Sequence, residues 1–600
     1  MDNFSINKQV LSERFAHVLK SNELHDFTDE ELESEYFFEQ TERDEVWLQA
    51  VRTLVGDDQV VFVYGFERGF AIADLIEEHP HKWFFVYEPS VKHFAKAMTE
   101  YDLSPVLSHP NLYWLSVGED QLQLIFSMLG TYMQDRLAFI AQRHYLDLHI
   151  EDVQKIKEDF QIHRRDMLSN LFTEDRFKHE WTQNYLNHLV DAVSHIHIEQ
   201  LIGKLDVETA LVVSSGPSLS QDIETIKKLQ QHVIIIAAGS SVQALVKQGI
   251  IPHITVIMDG HAVNTKIFSD PSTLAPTLFF TSSSFYQISD QKSSDKVYSI
   301  MRNDSLSKYF LNRSDESTII FPVETVAGTA IQVAAALGAK RIVLAGQDLS
   351  FPEDRSYAEG VNHFAPEVTQ TFVNHAHLKV TNVKGGENRT DLSFLSMKQG
   401  IEKLIIALEP IECVNTSSLG AEIKGAPFRP MESLVDELLQ QPVVSERIIK
   451  DLLECHPIIP DKEDVEFLHE RLSGVRRAVS ELPLKIRRLN KEIDNMELYS
   501  RDKPSKAIKS FDKVVELWES IAGANWFSPL WETFMPAELA AFDRKLPVLF
   551  NEERLIKKSV LVRNTVAELA KVISENVDTM LQFLDEAIAR IERKHSESYN

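Results

Sequence analysis

Short apolar runs alternate with helical segments through the first two thirds of the chain. The runs lie at 60–64, 83–87, 210–213, 233–238, 254–258 and 341–345. Each has the length of a buried strand, and each is followed by small or polar residues and then by a segment of helical character. Strands that alternate with helices in this way predict an α/β fold built on parallel sheets.

The first two runs predict a Rossmann-like N-terminal domain. The run at 60–64 ends at Gly65, a helix is expected from 71 to 78, and the run at 83–87 ends at Glu88. A strand, a glycine turn, a helix and a second strand with a terminal acid form one half of a dinucleotide-binding fold. The glycine spacing is not G-x-G-x-x-G, so we expect a scaffold without a bound dinucleotide.

A second Rossmann-like domain is predicted around the run at 210–213. The sequence Ser214-Ser215-Gly216-Pro217-Ser218-Leu219 follows that run and precedes a helix at 221–230. Backbone N–H groups at such a helix start bind phosphate. Two later runs end at Asp259 and at Gln347-Asp348, which predicts that these residues share the ligand edge of one open sheet.

From about residue 432 the apolar positions repeat at spacings of three and four. One stripe comprises Val465, Leu468, Leu472, Val475, Val479 and Leu482, and another comprises Val577, Leu581, Leu584, Ile588 and Ile591. This period predicts an all-α C-terminal domain. The predicted division is an N-terminal helical segment at 1–57, the Rossmann-like N-terminal domain at 58–150, linker helices at 151–200, the central domain at 201–430 and the C-terminal domain at 431–600.

Composition and charge restrict the partners and the compartment. The chain has 600 residues, of which 44% are hydrophobic and 25% charged, an ordinary balance for a soluble protein. The net charge of −28 disfavours nucleic acid as the main partner, because phosphate backbones are bound by clustered Lys and Arg. Two cysteines suit a reducing compartment. Neither a signal peptide nor a membrane span is predicted, so we expect a cytoplasmic protein.

Three segments of the central domain resemble a known family. They are 215–219, the stretch from Ile250 to Asp259, and the stretch from Thr329 to Phe351. Together with Tyr87-Glu88-Pro89 near the N-terminus, they resemble the motility accessory factor (Maf) proteins of flagellated bacteria. The resemblance implies a glycosyltransferase that moves a nonulosonic acid, of pseudaminic or legionaminic type, from a CMP-activated donor to Ser or Thr of flagellin. Such an enzyme supports flagellum assembly and motility.

The central domain is also similar to the small bacterial sialyltransferases, in which a Gly-Pro-Ser-Leu loop cradles the CMP donor. That family has Asn where this chain has Ser215. Its tyrosine falls near Thr329 and its general-base histidine near Gly386, so neither catalytic residue carries over. Flagellin and the CMP-activated nonulosonic acid are the implied partners, and homo-oligomerisation is left open.

Transfer from a CMP-sugar requires a phosphate site, contacts to the sugar and a base for the acceptor hydroxyl. As catalytic residues we predict Asp348, Gln347 and His375, with Asp348 at the far end of the sheet edge, toward the sugar. His261 and His363 are further candidate bases, because neutral imidazole accepts a proton near pH 7. The predicted donor-binding residues are Ser215, Gly216, Pro217, Ser218, Leu219, Asp259, Ser282, Thr325, Gly328, Thr329 and Tyr357. No cofactor or metal is expected, since CMP is a good leaving group and the central domain has no Asp-x-Asp dyad.

Three other functions stay open. The central domain also resembles archaeal pterin pyrophosphokinases, which would use ATP and Mg²⁺ with Asp259 and Asp348 as metal-linked acids. A non-catalytic flagellin-binding scaffold is the second alternative. An NAD-linked oxidoreductase is the third, and the missing glycine spacing disfavours it.

Overall fold

The computed structural model describes residues 2–20, 24, 27–33, 37, 42–56, 59–130, 132, 137–457 and 462–597. The chain divides into two compact units, one formed by 1–175 with 540–547 and the other by 176–539 with 548–600. Each unit contains an open parallel sheet, and most of the last 140 or so residues are helical. The predicted fold class is therefore confirmed, with Rossmann-like sheets and an α-helical C-terminal region.

The first unit is built on four parallel strands. They are β1 (Val60–Tyr64), β2 (Trp83–Glu88), β3 (Leu112–Val117) and β4 (Leu137–Ala141), in the spatial order β3-β2-β1-β4. All five residues of β1 are buried, as expected of a strand that helices cover on both faces. The direction of strand order reverses beside β1, between β1 and β4.

Helices surround this sheet. They are Asn3–Arg14, Ala16–Lys20, Asp29–Glu33, Glu42–Val55, Phe70–Glu78, Val91–Glu100, Ser104–Ser108, Leu122–Gly130, Arg143–Leu148 and the start of Ile150–Ala192, with a 3₁₀ turn at Glu119–Gln121. The helix that the sequence predicts at 71–78 is the observed Phe70–Glu78. The strands β3 and β4 had no counterpart in the sequence prediction.

The second unit contains an eight-stranded parallel sheet. Its strands are β5 (Ile196–His197), β6 (Thr209–Val213), β7 (Ile234–Ala238), β8 (Ile254–Ile257), β9 (Thr277–Thr281), β10 (Lys296–Ser299), β11 (Arg341–Ala345) and β14 (Glu412–Asn415), and β12 (Leu378–Thr381) with β13 (Glu387–Thr390) forms a separate hairpin. The order is β14-β11-β6-β7-β8-β9-β10-β5, so the direction reverses between β6 and β11. Ligands of open α/β sheets bind at such a reversal, beyond the carboxyl ends of the strands.

Helices cover both faces of this sheet and form the C-terminal region. They are the end of Ile150–Ala192, Leu219–Leu229, Ser241–Lys247, Tyr286–Asp290, Ser305–Leu311, Val326–Leu337, Pro366–His375, Leu392–Ala407, Val435–Leu438, Ile448–Cys455, Lys462–Tyr499, Pro504–Ala522, Phe527–Phe534, Pro536–Asn551, Leu555–Val562 and Glu568–Glu597. Short 3₁₀ helices occur at Ile198–Leu201, Ala262–Phe268, Pro271–Leu274, Asp315–Ser317, Pro352–Asp354 and Met431–Leu434, and a π turn occurs at Arg563–Ala567.

The apolar stripe predicted after residue 463 lies inside a long helix. Leu468, Leu472, Val475, Val479 and Leu482 are all buried in Lys462–Tyr499, which confirms the helical period. Before that helix, Met431, Leu434 and Leu438 pack into the core of the large sheet. The predicted boundary near 430 thus precedes residues that complete this core. None of the helices in the described ranges is long and apolar enough to cross a membrane.

Candidate active site

A cavity of about 450 Å³ opens beyond the carboxyl ends of β6, β7, β8 and β11, at the reversal of the large sheet. Its volume lies within the range of small-molecule sites. The polar residues on its wall are Ser214, Ser215, Ser240, Asp259, Asn264, Glu324, Thr325, Gln347, Asp348, Ser350, Ser356, Tyr357, His363, Asp391 and Ser393. Phe351, Phe372, Phe394 and Met397 contribute apolar surface. The cavity therefore lies where the sequence predicts a ligand edge.

The loop after β6 is held mainly by hydrogen bonds to the residues that follow β11. The N–H of Gly216 donates to the carbonyl of Gly346 at 2.9 Å, and that of Leu219 donates to the carbonyl of Gly216 at 3.0 Å. The N–H of Ser218 donates to Asp348 at 2.8 Å. Because Pro217 has no N–H, the loop segment 216–219 has no free amide left to bind a phosphate, contrary to the role that the sequence suggests for it.

Asp348 fixes this loop in place. Its two carboxylate oxygens accept from the N–H and from the hydroxyl of Ser218. Burial raises the pKa of Asp348 to about 6, since a low-dielectric surrounding disfavours the charged form. The expected position of Asp348, far from the phosphate loop, is wrong because β6 and β11 are neighbours in the sheet and their ends meet.

Hydroxyl groups connect the strand ends around the cavity. The hydroxyl of Ser214 donates to the side-chain carbonyl of Gln347 at 2.6 Å, and the hydroxyl of Ser240 donates to that of Ser215 at 3.1 Å. The N–H of Gln347 donates to the hydroxyl of Ser417 at 2.7 Å. Gln347 is thus oriented by contacts on both sides, and its side-chain amide lies on the cavity wall.

The helix Val326–Leu337 begins at the cavity. Thr325 caps it, with the Thr325 hydroxyl accepting from the N–H of Ala327 at 3.3 Å. Thr325, Val326 and Ala327 all line the cavity, so the positive end of the helix dipole faces the ligand space. The helix Leu219–Leu229 after β6, by contrast, contributes no residue to the cavity wall.

Three titratable side chains of the cavity wall have pKa values shifted by burial. Asp259 faces the cavity, and protein atoms surround its carboxyl on the other sides. The surrounding protein excludes water from the carboxyl and raises its pKa above the usual range. Burial, with a smaller contribution from Asp259, raises the pKa of Tyr357 to about 12. Burial also lowers the pKa of His363, so its imidazole is neutral at pH 7. The Nε2 atom of His363 is buried and has no hydrogen-bond partner in the described part of the chain.

The charges on the cavity wall are negative. Every residue that lines the cavity is described, and none of them is Lys or Arg. Four carboxylates lie on the wall, from Asp259, Glu324, Asp348 and Asp391. Across the described ranges, no three His, Cys, Asp or Glu side chains are arranged to hold a metal ion.

Several predicted residues lie outside this cavity. His375 is exposed, and its Nδ1 contacts the carbonyl of Thr371 at 2.8 Å. Ser282 and Thr329 are fully buried, and their hydroxyls contact the N–H of Met301 and the sulfur of Met258. Gly328 packs against Val323: a Cβ at position 328 would lie 3.0 Å from the Val323 side chain. Pro217, Ser218 and Leu219 belong to the loop but do not line the cavity.

Beyond the loop after β6, the sequence reasoning missed seven polar residues of the wall: Ser240, Asn264, Glu324, Ser350, Ser356, Asp391 and Ser393. Two of them had a recognisable signal. Ser240 follows β7 in a small-residue turn like that after β6, with Gly239 at φ +52°. Asp391 is the N-cap of Leu392–Ala407 and accepts from the N–H of Phe394 at 2.8 Å. Nothing in the local pattern around Asn264 and Glu324 indicates their position.

Two comparisons with known proteins found a match. A family model described as 6-hydroxymethylpterin diphosphokinase MptE-like matches residues 183–354, which carry most of the cavity. A solved structure of a Maf glycosyltransferase from Magnetospirillum magneticum AMB-1 is similar, with a TM-score of 0.59 and 16% sequence identity. The match covers 95% of this chain and 87% of that one, which confirms the fold expected from the resemblance. No curated protein matches the sequence significantly.

Proposed function

We propose that this chain is a glycosyltransferase that transfers a nonulosonic acid from a CMP-activated donor to Ser or Thr of flagellin. The observation that carries the proposal is the cavity at the reversal of the large sheet. It combines a helix N-terminus, a set of hydroxyl groups and a neutral histidine with an unpartnered nitrogen. The overall fold of a Maf glycosyltransferase, matched along almost the whole chain, supports the same conclusion.

In this proposal the donor phosphate lies against the start of the helix Val326–Leu337. The cavity wall supplies no Lys or Arg, so the attraction for an anion must come from backbone and hydroxyl dipoles. The hydroxyls of Ser215 and Ser240 lie on the same wall. The carboxylates of Asp259, Glu324 and Asp391 then face the neutral hydroxyls of the sugar and the ribose, from which they accept hydrogen bonds.

His363 is the base in this mechanism, in place of the exposed His375. The acceptor oxygen forms a bond to the anomeric carbon, and the bond from that carbon to the phosphate oxygen breaks with its electron pair leaving on CMP. The hydroxyl proton passes to Nε2 of His363. A buried nitrogen without a partner is costly, and a substrate hydroxyl that donates to it removes this cost.

The direct test is the intact mass of flagellin after incubation with the protein and a CMP-activated nonulosonic acid. The expected result is a mass increase of one or more whole sugar residues, which disappears when the donor is omitted. Flagellin that keeps its unmodified mass, while still binding the protein, would favour the scaffold function.

One observation favours a second candidate. The family model that matches residues 183–354 is described by a diphosphokinase activity, and the four wall carboxylates suit Mg²⁺ carried in by a nucleoside triphosphate. Incubation with ATP, Mg²⁺ and 6-hydroxymethylpterin, with and without EDTA, distinguishes the diphosphokinase from the glycosyltransferase. Formation of AMP together with a pterin diphosphate only in the absence of EDTA would replace the transferase proposal.

A further inference from the structure

The first unit contains a cavity of its own. A space of about 510 Å³ opens beyond the carboxyl ends of its four strands, and its wall includes Tyr64 at the end of β1, Tyr87 in β2 and Tyr145 after β4. The reversal of strand order in this sheet lies between β1 and β4. The cavity therefore occupies the topological position at which open α/β sheets bind ligands, as the cavity of the second unit does.

A dinucleotide does not fit here. A Cβ at Gly65 would lie 2.6 Å from the Tyr145 ring, so the turn that approaches a pyrophosphate in dinucleotide-binding folds is already filled. Glu88, at the position of the ribose-binding acid, accepts instead from the N–H groups of Phe66 at 2.7 Å and Ser90 at 3.0 Å, and from the hydroxyl of Tyr145. The turn after β1 thus has no room for a pyrophosphate, and the carboxylate of Glu88 is not free to bind a ribose.

Two tyrosine hydroxyls remain without a partner. Tyr64 and Tyr87 are 3% and 1% exposed, and their ring centroids lie 5.9 Å apart. Neither hydroxyl makes a hydrogen bond with any described residue, although both side chains line the cavity. Burial raises the pKa of both phenols, so each keeps its proton and can donate. Neither oxygen is among the fully buried polar atoms that lack a partner, so both are open to the cavity and can donate to a ligand there.

The rest of the wall mixes donors with acceptors. Glu119, Asp152 and Asp159 contribute carboxylates, and Lys155 contributes the one ammonium group among the lining residues, all of which are described. Three histidines, His93, His144 and His149, line the same wall. Carboxylates, an ammonium group, imidazoles and phenols thus face one cavity together. The set suits a neutral molecule whose groups both donate and accept hydrogen bonds.

We propose that this cavity is a second ligand site, which binds a neutral monosaccharide unit. Each hydroxyl of a sugar can donate to a carboxylate and accept from a phenol or from Lys155, so a single ring satisfies several wall groups at once. Tyr64 and Tyr87 would hold adjacent hydroxyls, and Glu119 would accept from a third. The site is independent of the proposed transferase chemistry in the second unit.

The test uses the full chain and ligand-observed saturation-transfer NMR with glucose, galactose and N-acetylglucosamine. At least one of them should bind saturably. The double substitution Tyr64→Phe with Tyr87→Phe keeps both rings and should weaken that binding at least fivefold. Tyr113→Phe, on the same sheet but outside the cavity, should leave the binding unchanged.

Glu119→Gln provides an independent variant at an exposed position and should also weaken binding, which keeps the test valid if the double variant does not fold. Absence of binding by all three sugars would overturn the proposal. So would sugar binding that survives in both cavity variants, or binding of AMP or spermidine with no binding of sugars. None of these outcomes depends on whether the protein glycosylates flagellin.

Discussion

The backbone N–H and the hydroxyl of Ser218 both donate to the carboxylate of Asp348, 130 residues further along the chain. This contact joins the turn after β6 to the end of β11, the two strands between which the strand order reverses. Asp348 therefore shapes the cavity by holding the loop, and its effect on the ligand passes through that loop.

Asp348→Asn should lower both stability and donor affinity. In the variant, an NH₂ group replaces one of the two carboxylate oxygens of Asp348 and faces a donor of Ser218. One buried hydrogen bond is therefore lost, at a cost of about 1–3 kcal/mol. We expect a lower Tm, CMP binding weakened about tenfold and reduced transfer, as measured by thermal shift and calorimetry. Asp436→Asn, at an exposed position of the same unit, is the control. A variant with normal CMP affinity and slow transfer would instead make Asp348 a group that acts on the sugar.

Gly216→Ala should destabilise the protein itself. The added Cβ would lie 2.2 Å from Oδ2 of Asp348 and 2.6 Å from the carbonyl of Gly346, so the loop has to move. A larger side chain at position 216 would therefore clash with Asp348 and Gly346 before it reached a bound phosphate. We expect a loss of about 1–3 kcal/mol in the free energy of unfolding, measured in urea. Gly474→Ala is the matched control, because open space surrounds that helical position and alanine favours the helix.

His363→Gln should abolish most of the transfer, while His375→Gln should not. A glutamine in place of the base keeps much of the volume but accepts no proton, and general-base catalysis contributes about 10²–10⁴-fold. The initial rate of flagellin modification should fall by that order, with CMP affinity unchanged. Since burial lowers the pKa of His363, the wild-type rate should fall only at a pH below the usual histidine range near 6.5. Equal rates in the two variants would exclude His363 as the base.

Asp222 should make stability depend on pH. Burial raises its pKa to about 7, and the hydroxyl of Thr416 donates to it at 3.0 Å. The folded state holds this proton more tightly than the unfolded state, whose pKa is about 3.9. The contribution to stability is therefore largest below pH 4 and is lost as the pH rises toward 7.

Asp222→Asn removes this titration and keeps an acceptor for Thr416. The free energy of unfolding of the variant, relative to that of the wild type, should increase between pH 4.5 and pH 8 by on the order of 1 kcal/mol or more. Urea unfolding at the two pH values measures it. A difference that does not change with pH would contradict the assignment.

A chain that ends at residue 430 should aggregate, whereas one that ends at 457 should remain soluble. The shorter chain lacks Met431, Leu434 and Leu438, which are buried in the core of the large sheet, and it also lacks Ile449 and Leu453. Loss of several fully buried apolar side chains costs about 2–5 kcal/mol each. Size-exclusion chromatography of the two fragments makes the comparison, and a soluble, CMP-binding 1–430 fragment would contradict it.

Local sequence patterns predicted the elements that have strong local signals. The uniformly buried strands β1, β6 and β7 and the long helix Lys462–Tyr499 follow from apolar runs or from a sustained helical period. The strands β9 and β10 were missed, because polar residues at both ends leave apolar runs of only three and two residues. Their burial results from neighbouring strands.

The candidate site followed from the sequence only in part. Asp259 and Gln347 were found because strand ends converge at one edge. Whether a side chain faces the cavity or the core depends on tertiary packing, which explains why Ser282 and Thr329 turned out to be buried. His363 could not be preferred over His375, since neither follows an apolar strand run and only the fold distinguishes their surroundings.

The hydrogen bonds that tie the loop after β6 to the residues after β11 also affect how a ligand binds. A loop that orders only on contact with its ligand adds the heat-capacity decrease of a small folding reaction to the binding. Here the amides of Gly216, Ser218 and Leu219 are already paired. Donor binding should therefore show a small heat-capacity change. Its association rate should be limited by diffusional encounter and be similar for different donors. Differences in donor affinity would then come from different rates of dissociation.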